Sequence, residues 1–322
     1  MLCNIRKTTY KDYPALSIEN DLVRAVFLPS QGAKLVSLQL LSSAYEFVYQ
    51  GDSTVYRVAS FGQSFLDGEN AGVDDMFPTI KAGYYDVFPW QGTPLADHGE
   101  VWALEWDCLI EGDSIEMSTC GVRFPYRLIK RVTLEGSSLT MEYRAENLSR
   151  FPFEYIWASH MMLHAEQGSC YIFPAHLTKA RCTLSDRGRI GSFGDVFPFP
   201  FVTLPDGHTE DLRINRGITA DDFEKFYFIE PLREGRASVI HPDGHRLSIE
   251  FPLEQVPYLS AIQGEGGKLM LHCMFFEPCT AAYDRPDLAR HFHTQSILPP
   301  KGIHEWYLKM VLGTESDRVT TT

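Results

Sequence analysis

Gly32-Ala33-Lys34-Leu35-Val36-Ser37-Leu38-Gln39-Leu40 alternates apolar and polar side chains, most cleanly from Val36 to Leu40. A period of two puts successive side chains on opposite faces of an extended chain, so this stretch predicts a half-buried strand. Just upstream, Leu16–Asn20 and Leu22–Leu28 read as strands around an Asn-Asp turn. Downstream, strands are predicted at Leu128–Leu134, Leu139–Asn147, Phe153–His160, Ser169–Phe173, Ala237–His241, Arg246–Phe251, Lys268–Phe276 and Ile303–Gly313. Turn chemistry separates them, at Glu135-Gly136-Ser137-Ser138 and at Pro242-Asp243-Gly244-His245.

Helical periodicity is weak. Short helices are predicted near Thr219–Phe226 and Pro286–Arg290, and Gln255–Gly267 reads as a glycine-rich connecting loop. Many short strands without helical crossovers predict an all-β chain, a large antiparallel sandwich, with residues 1–322 forming one domain. One region departs from the pattern. Residues 58–94 are rich in Gly, Phe, Asp and Pro, and a long irregular stretch of this kind often carries function.

The chain of 322 residues carries a net charge of −13. An acidic surface repels nucleic acid and anionic membrane, so neither is an expected partner. Seven cysteines, an odd number without CxxC spacing, suit reduced thiols. Residues 1–10 lack the apolar run of a signal peptide, and no stretch reaches the ~20 apolar residues that span a bilayer. A cytoplasmic protein is expected, as a monomer or homodimer.

His291 with His293 and His160 with His164 lack the setting of a metal motif, and no phosphate loop, GxGxxG or GxSxG is present. No metal or cofactor is expected. Three segments remain: Asp97-His98-Gly99, the strand end Trp157-Ala158-Ser159-His160, and Phe275-Phe276-Glu277-Pro278-Cys279-Thr280. A histidine at a strand end is commonly structural. Glu277 says more, because a glutamate interrupting an apolar strand is either at the surface or buried for a purpose. Trp102, Trp106 and Trp157 read as core residues, with Trp102 also a candidate to stack on a ligand, and Asp74-Asp75 could be a solvated turn.

Taken in order, these segments resemble the aldose 1-epimerase (galactose mutarotase) family. The resemblance runs from Asn20-Asp21-Leu22 and Gln31-Gly32-Ala33-Lys34-Leu35 through Asp75-Met76-Phe77-Pro78, Asp97-His98-Gly99, Trp157–His160 and Glu277-Pro278 to the Leu298–Gly313 segment. It implies a β-supersandwich with an open groove, Glu277 as general base and His160 as general acid. It also implies that His98 holds the oxygens of a sugar, with Asp75 assisting. A further acidic contact is expected from Asp221, Asp222 or Glu224, with Asp222 the chosen candidate. Glu100-Val101-Trp102 and Met161-Met162-Leu163 depart from the family pattern and put the preferred sugar in doubt.

Mutarotation needs a base for the anomeric hydroxyl proton and an acid for the ring oxygen. The expectation is a carboxyl with proton affinity raised by burial, and an imidazolium kept charged by a nearby acceptor. The small-molecule substrate is expected to be a neutral, unphosphorylated sugar, Glu100 standing where a phosphate-binding residue would sit. Arg123, Arg127 and Arg131 are the sites to revisit if phosphates are preferred. A non-catalytic carbohydrate-binding protein and a divergent sugar isomerase are the alternatives.

Overall fold

The computed structural model describes residues 3–204 and 207–315. The Val36–Leu40 alternation lies in the strand Lys34–Leu40, part of a 12-stranded sheet. From one edge, that sheet runs Asn4–Tyr10, Tyr13–Glu19, Val23–Leu28, Lys34–Leu40, Val73–Met76 and Ala158–His164. It continues through Leu271–Cys279, Tyr258–Gly266, Asp222–Phe228, Lys179–Ser185 and Val196–Pro198, with Tyr45–Glu46 beside Lys34–Leu40. The second sheet has eight strands, centred on Ile303–Thr314, Ser138–Asn147 and Tyr126–Glu135. Paired strands within both sheets run antiparallel, and the chain has the large antiparallel β-architecture that its patterning predicts.

One apolar core joins the sheets, drawing Phe27, Leu35 and Phe276 from the larger and Met141, Leu308 and Met310 from the smaller. Tyr143, Trp157 and Trp306 meet within it, with ring centroids 4.8 to 5.5 Å apart. Buried in the same layer, Lys130 of the smaller sheet reaches Asp75 Oδ2 at 2.8 Å and the Ala33 carbonyl at 2.6 Å. The indole N–H of Trp157 donates to Asp75 Oδ1 at 3.0 Å.

Three expectations about the elements are corrected. Gln255–Gly267 is largely strand, Tyr258–Gly266, laddered to Leu271–Cys279 on one side and Asp222–Phe228 on the other. Its glycines suggest a loop, yet Gly264 fits a close strand approach, since a Cβ there would stand 2.9 Å from the Cys273 carbonyl. The helix predicted near Thr219–Phe226 is a single 3₁₀ turn, Ile218–Ala220, ended by Asp221 at φ 52° and followed by the strand Asp222–Phe228. The strand predicted at Phe153–His160 is two, Phe153–Tyr155 and Ala158–His164. The helix near Pro286–Arg290 is present as Pro286–His291, with proline at its start. Residues 58–94 hold only short elements, including the 3₁₀ turn Phe65–Asp67 and the strand Val73–Met76. Among the described residues no helix is long and apolar enough to cross a membrane.

Candidate active site

A cavity of about 310 Å³ opens over the outer face of the larger sheet. Six neighbouring strands lay one residue each in a same-face row, of which His160 and Glu277 line the cavity. His160 pairs with Asp74. The ladder on either side, Ala158 with Cys279 and Met161 with Phe276, sets His160 opposite Glu277. Glu277 pairs with Ser260, Ser260 with Tyr227, and Tyr227 with Arg181. Same-face neighbours on adjacent strands lie close enough to interact, so this polar row is a direct product of register.

His160 Nε2 and Glu277 Oε1 are 4.0 Å apart, both side chains buried. The two stand side by side on the cavity floor. They are adjacent on one floor and do not face each other across a groove. Lys225, one residue pair removed along the strand, leans back so that Nζ lies 2.7 Å from Glu277 Oε2 and 3.0 Å from Asp284 Oδ1. The contact with Glu277 is close but poorly directed. Glu277's two oxygens, His160 Nδ1 and Ser260 Oγ are all buried without a well-aligned hydrogen-bond partner. Buried polar groups are nearly always satisfied, and of these exceptions Glu277 and His160 line the cavity, which marks them as suited to a polar ligand. Tyr227 OH donates to Asp284 Oδ1 at 2.8 Å.

The charges follow from this packing. Burial pushes the His160 imidazole well below its usual pKa, and positive charge from His98, Lys225 and Lys34 pushes it the same way. His160 is therefore neutral, against the expectation of a stably charged imidazolium. Burial also works against the Lys225 ammonium, but Asp284 and Glu277 outweigh it and raise its pKa. Asp284 is lowered, despite burial, by the Lys225 charge and hydrogen bond. Asp74 is raised, burial outweighing its Lys34 neighbour at 3.1 Å.

His98 reaches the same cavity from the loop. Its ring stacks on Phe65 at 4.1 Å and meets the His160 ring edge-on at 5.0 Å, while Nδ1 lies 3.1 Å from Asp97 Oδ1. The following glycine is required, because Gly99 has φ 78° and a Cβ would fall 2.3 Å from the Phe77 carbonyl. The irregular region supplies Phe65, Leu66, Asn70, Ile80 and Lys81 to the lining.

Three expected contacts are corrected. Asp75 does not face the cavity. Strand alternation turns it into the intersheet core with Lys130 and Trp157, while Asp74, its neighbour, shares the face of His160. Asp222 turns away as well, into ion pairs with Arg216 at 3.1 Å and Arg189 at 3.6 Å. The same strand presents Phe223 and Lys225 to the cavity, and reading it as helix hid that period of two. Trp102 is buried and supports the site from behind, its N–H donating to the Asp97 carbonyl at 3.0 Å and its ring against Phe65. Glu100 also points away, accepting from the N–H groups of Val122 and Arg123 and from Tyr126 OH. Arg123, Arg127 and Arg131 are not among the lining residues. No group of three metal-ligating side chains converges among the described residues.

No protein-family model matches the chain, and no curated protein matches it. Solved structures do. A galactose mutarotase-like protein from Lactobacillus casei is 17% identical, covers 93% of this chain and 100% of its own, and has a TM-score of 0.64. One from Clostridium acetobutylicum is 13% identical, with 97% and 99% covered and a TM-score of 0.68. A Klebsiella pneumoniae protein, a candidate aldose 1-epimerase, is 15% identical, with 98% and 84% covered and a TM-score of 0.71. At such identities the likeness speaks for architecture and not for chemistry: the chain has the galactose mutarotase-like fold.

Proposed function

We propose that the protein is an isomerase that interconverts the α and β anomers of an aldose by acid–base ring opening and closure. The observation that carries this reading is the His160–Glu277 pair, 4.0 Å apart on the floor of a cavity of sugar-accommodating size. The hydroxyl and ring oxygens of a hemiacetal share one carbon, so neighbouring groups of this kind can serve both at once.

Glu277 takes the proton of the anomeric hydroxyl. As the bond from the anomeric carbon to the ring oxygen breaks, the carboxyl returns that proton to the ring oxygen, and the aldehyde forms. Rotation about the first carbon–carbon bond and the reverse transfer give the other anomer. His160, neutral in this setting, donates Nε2–H to the developing ring alkoxide as an electrophile. Neutral imidazole plays that part in other isomerases. Lys225 holds the carboxylate in place, and His98 binds a hydroxyl. No cofactor enters this scheme.

The substrate proposed is neutral. Near the cavity, Lys34, Lys81, Arg181 and Lys225 are matched in number by Asp74, Asp97, Glu277 and Asp284, which leaves no excess of cations for the roughly two charges of a phosphate ester. Polarimetry of freshly dissolved α-glucose and α-galactose with the wild-type protein and Glu277→Gln tests the reading. The wild type should hasten mutarotation, and Glu277→Gln should lose on the order of 10²–10⁴ of that rate. Sugar binding without any acceleration would leave a carbohydrate-binding protein instead.

A further inference from the structure

The cavity has two unlike halves. Beside the polar row, the next same-face positions along the strands are Met162 opposite Phe275, Phe275 opposite Ile262, and Ile262 opposite Lys225. Leu184 pairs with Lys225 from the far strand, and Phe223 and Leu271 lie further along. Of the strand residues lining this half, only Lys225 is polar, and its ammonium is drawn back to Glu277 and Asp284. Leu269 adds a further apolar side chain. Met162, Phe275, Ile262 and Phe223 form one buried cluster, distinct from the main core.

We infer that the cleft takes an aldose bearing an apolar group on the side of the ring opposite its anomeric carbon, such as a 6-deoxy or a 6-O-acyl sugar. This rests on the anomer-exchange reading above, which places the anomeric carbon over His160 and Glu277. Same-face neighbours along a strand are about 7 Å apart, so the far end of the ring then lies over the apolar rows. A primary hydroxyl there would give up water over a floor of apolar strand residues, which costs affinity. A methyl or acyl chain would instead remove chiefly Leu184 and Leu271 surface from water, beside the already buried Met162, Phe275 and Ile262. A hydrophobic site tolerates an added hydroxyl only by losing affinity, typically within about a hundredfold.

The test compares dissociation constants, by calorimetry on the wild-type protein, for galactose, 6-deoxygalactose, glucose and 6-O-butanoylglucose. The deoxy sugar should bind several-fold tighter than galactose, and the acyl sugar at least about tenfold tighter than glucose. Leu184→Ser and Leu271→Ser, at partly exposed positions, should abolish the preference, weakening the deoxy and acyl sugars more than the parent hexoses. Equal or tighter binding of the parent hexoses, a uniform loss in both leucine variants, or no binding by either class would overturn the inference. Anomer exchange followed by NMR separates the two ideas. Tight binding of the substituted sugars without exchange sinks the isomerase reading and keeps the apolar subsite. Exchange of all sugars without preference does the reverse.

Discussion

Lys225 and Glu277 are joined on the cavity floor, Nζ of one 2.7 Å from Oε2 of the other, and both are buried. The lysine also reaches Asp284, so one cation answers two carboxylates. Removing one partner of a buried pair leaves the other charge uncompensated.

Lys225→Met should therefore cost on the order of 3–5 kcal/mol of stability, read from urea unfolding. Adding Glu277→Gln should recover part of it, with Asp284 still unpaired. A double variant no more stable than Lys225→Met would show that the pair does not couple.

The neutral state of His160 predicts a particular ranking of variants. Glutamine offers an N–H donor that cannot titrate. His160→Gln should keep clearly more mutarotation activity than His160→Leu, with a flatter pH profile near neutrality. If the two are equally inactive, the working group is an imidazolium and the electrophile role is wrong.

Stability should carry the signature of a second buried histidine. Burial lowers His241 to about 4, with the charge of His164 adding to the effect. Between about 4 and the unfolded value of about 6.5, the unfolded chain binds the proton that the folded chain refuses. The histidine thus weakens the fold progressively as pH falls through that window, by up to about 3 kcal/mol, and has no effect above it. Buried acids of raised pKa, such as Asp74 and Glu46, act in the opposite sense, so the comparison is between wild type and His241→Gln. The difference in denaturation midpoint should change between pH 7 and pH 4, and a constant difference would refute the assignment.

Asp75 should behave as a structural residue. Asp75→Ala strands Lys130 and takes the acceptor from Trp157. The loss should be about 3–5 kcal/mol, while sugar affinity of the folded protein stays near that of wild type. A selective loss of affinity without loss of stability would return Asp75 to the substrate.

The all-β class and the short helix after Arg285 are legible in local signals, a period of two and a proline, whereas His98, His160 and Glu277 are picked out by the order of motifs in the resemblance, His160 and Glu277 standing inside strands and not at their ends. What remained hidden depends on facing. Asp74 and Asp75 are adjacent, and within the short strand Val73–Met76 only the register with Ala158–His164 decides which one meets His160. Partners distant in sequence escape local reading as well. Lys130 is 55 residues from Asp75, and Arg216 is 49 from Glu265, which lies in the glycine-bearing strand Tyr258–Gly266. Lys225 is hidden for a simpler reason: Thr219–Phe226 reads as helix, and only the period of two of the strand Asp222–Phe228 turns Lys225 to the cavity.

The polar row has a consequence for how such a protein can change over generations. Asp74, His160, Glu277, Ser260, Tyr227 and Arg181 each come from a different strand, held by backbone ladders that do not depend on side-chain identity. A point substitution alters one tile of the row and leaves the neighbouring strands in register. New substrates can thus be reached by single codon changes, without insertions or a rebuilt loop, and the scaffold outlives the chemistry it once carried.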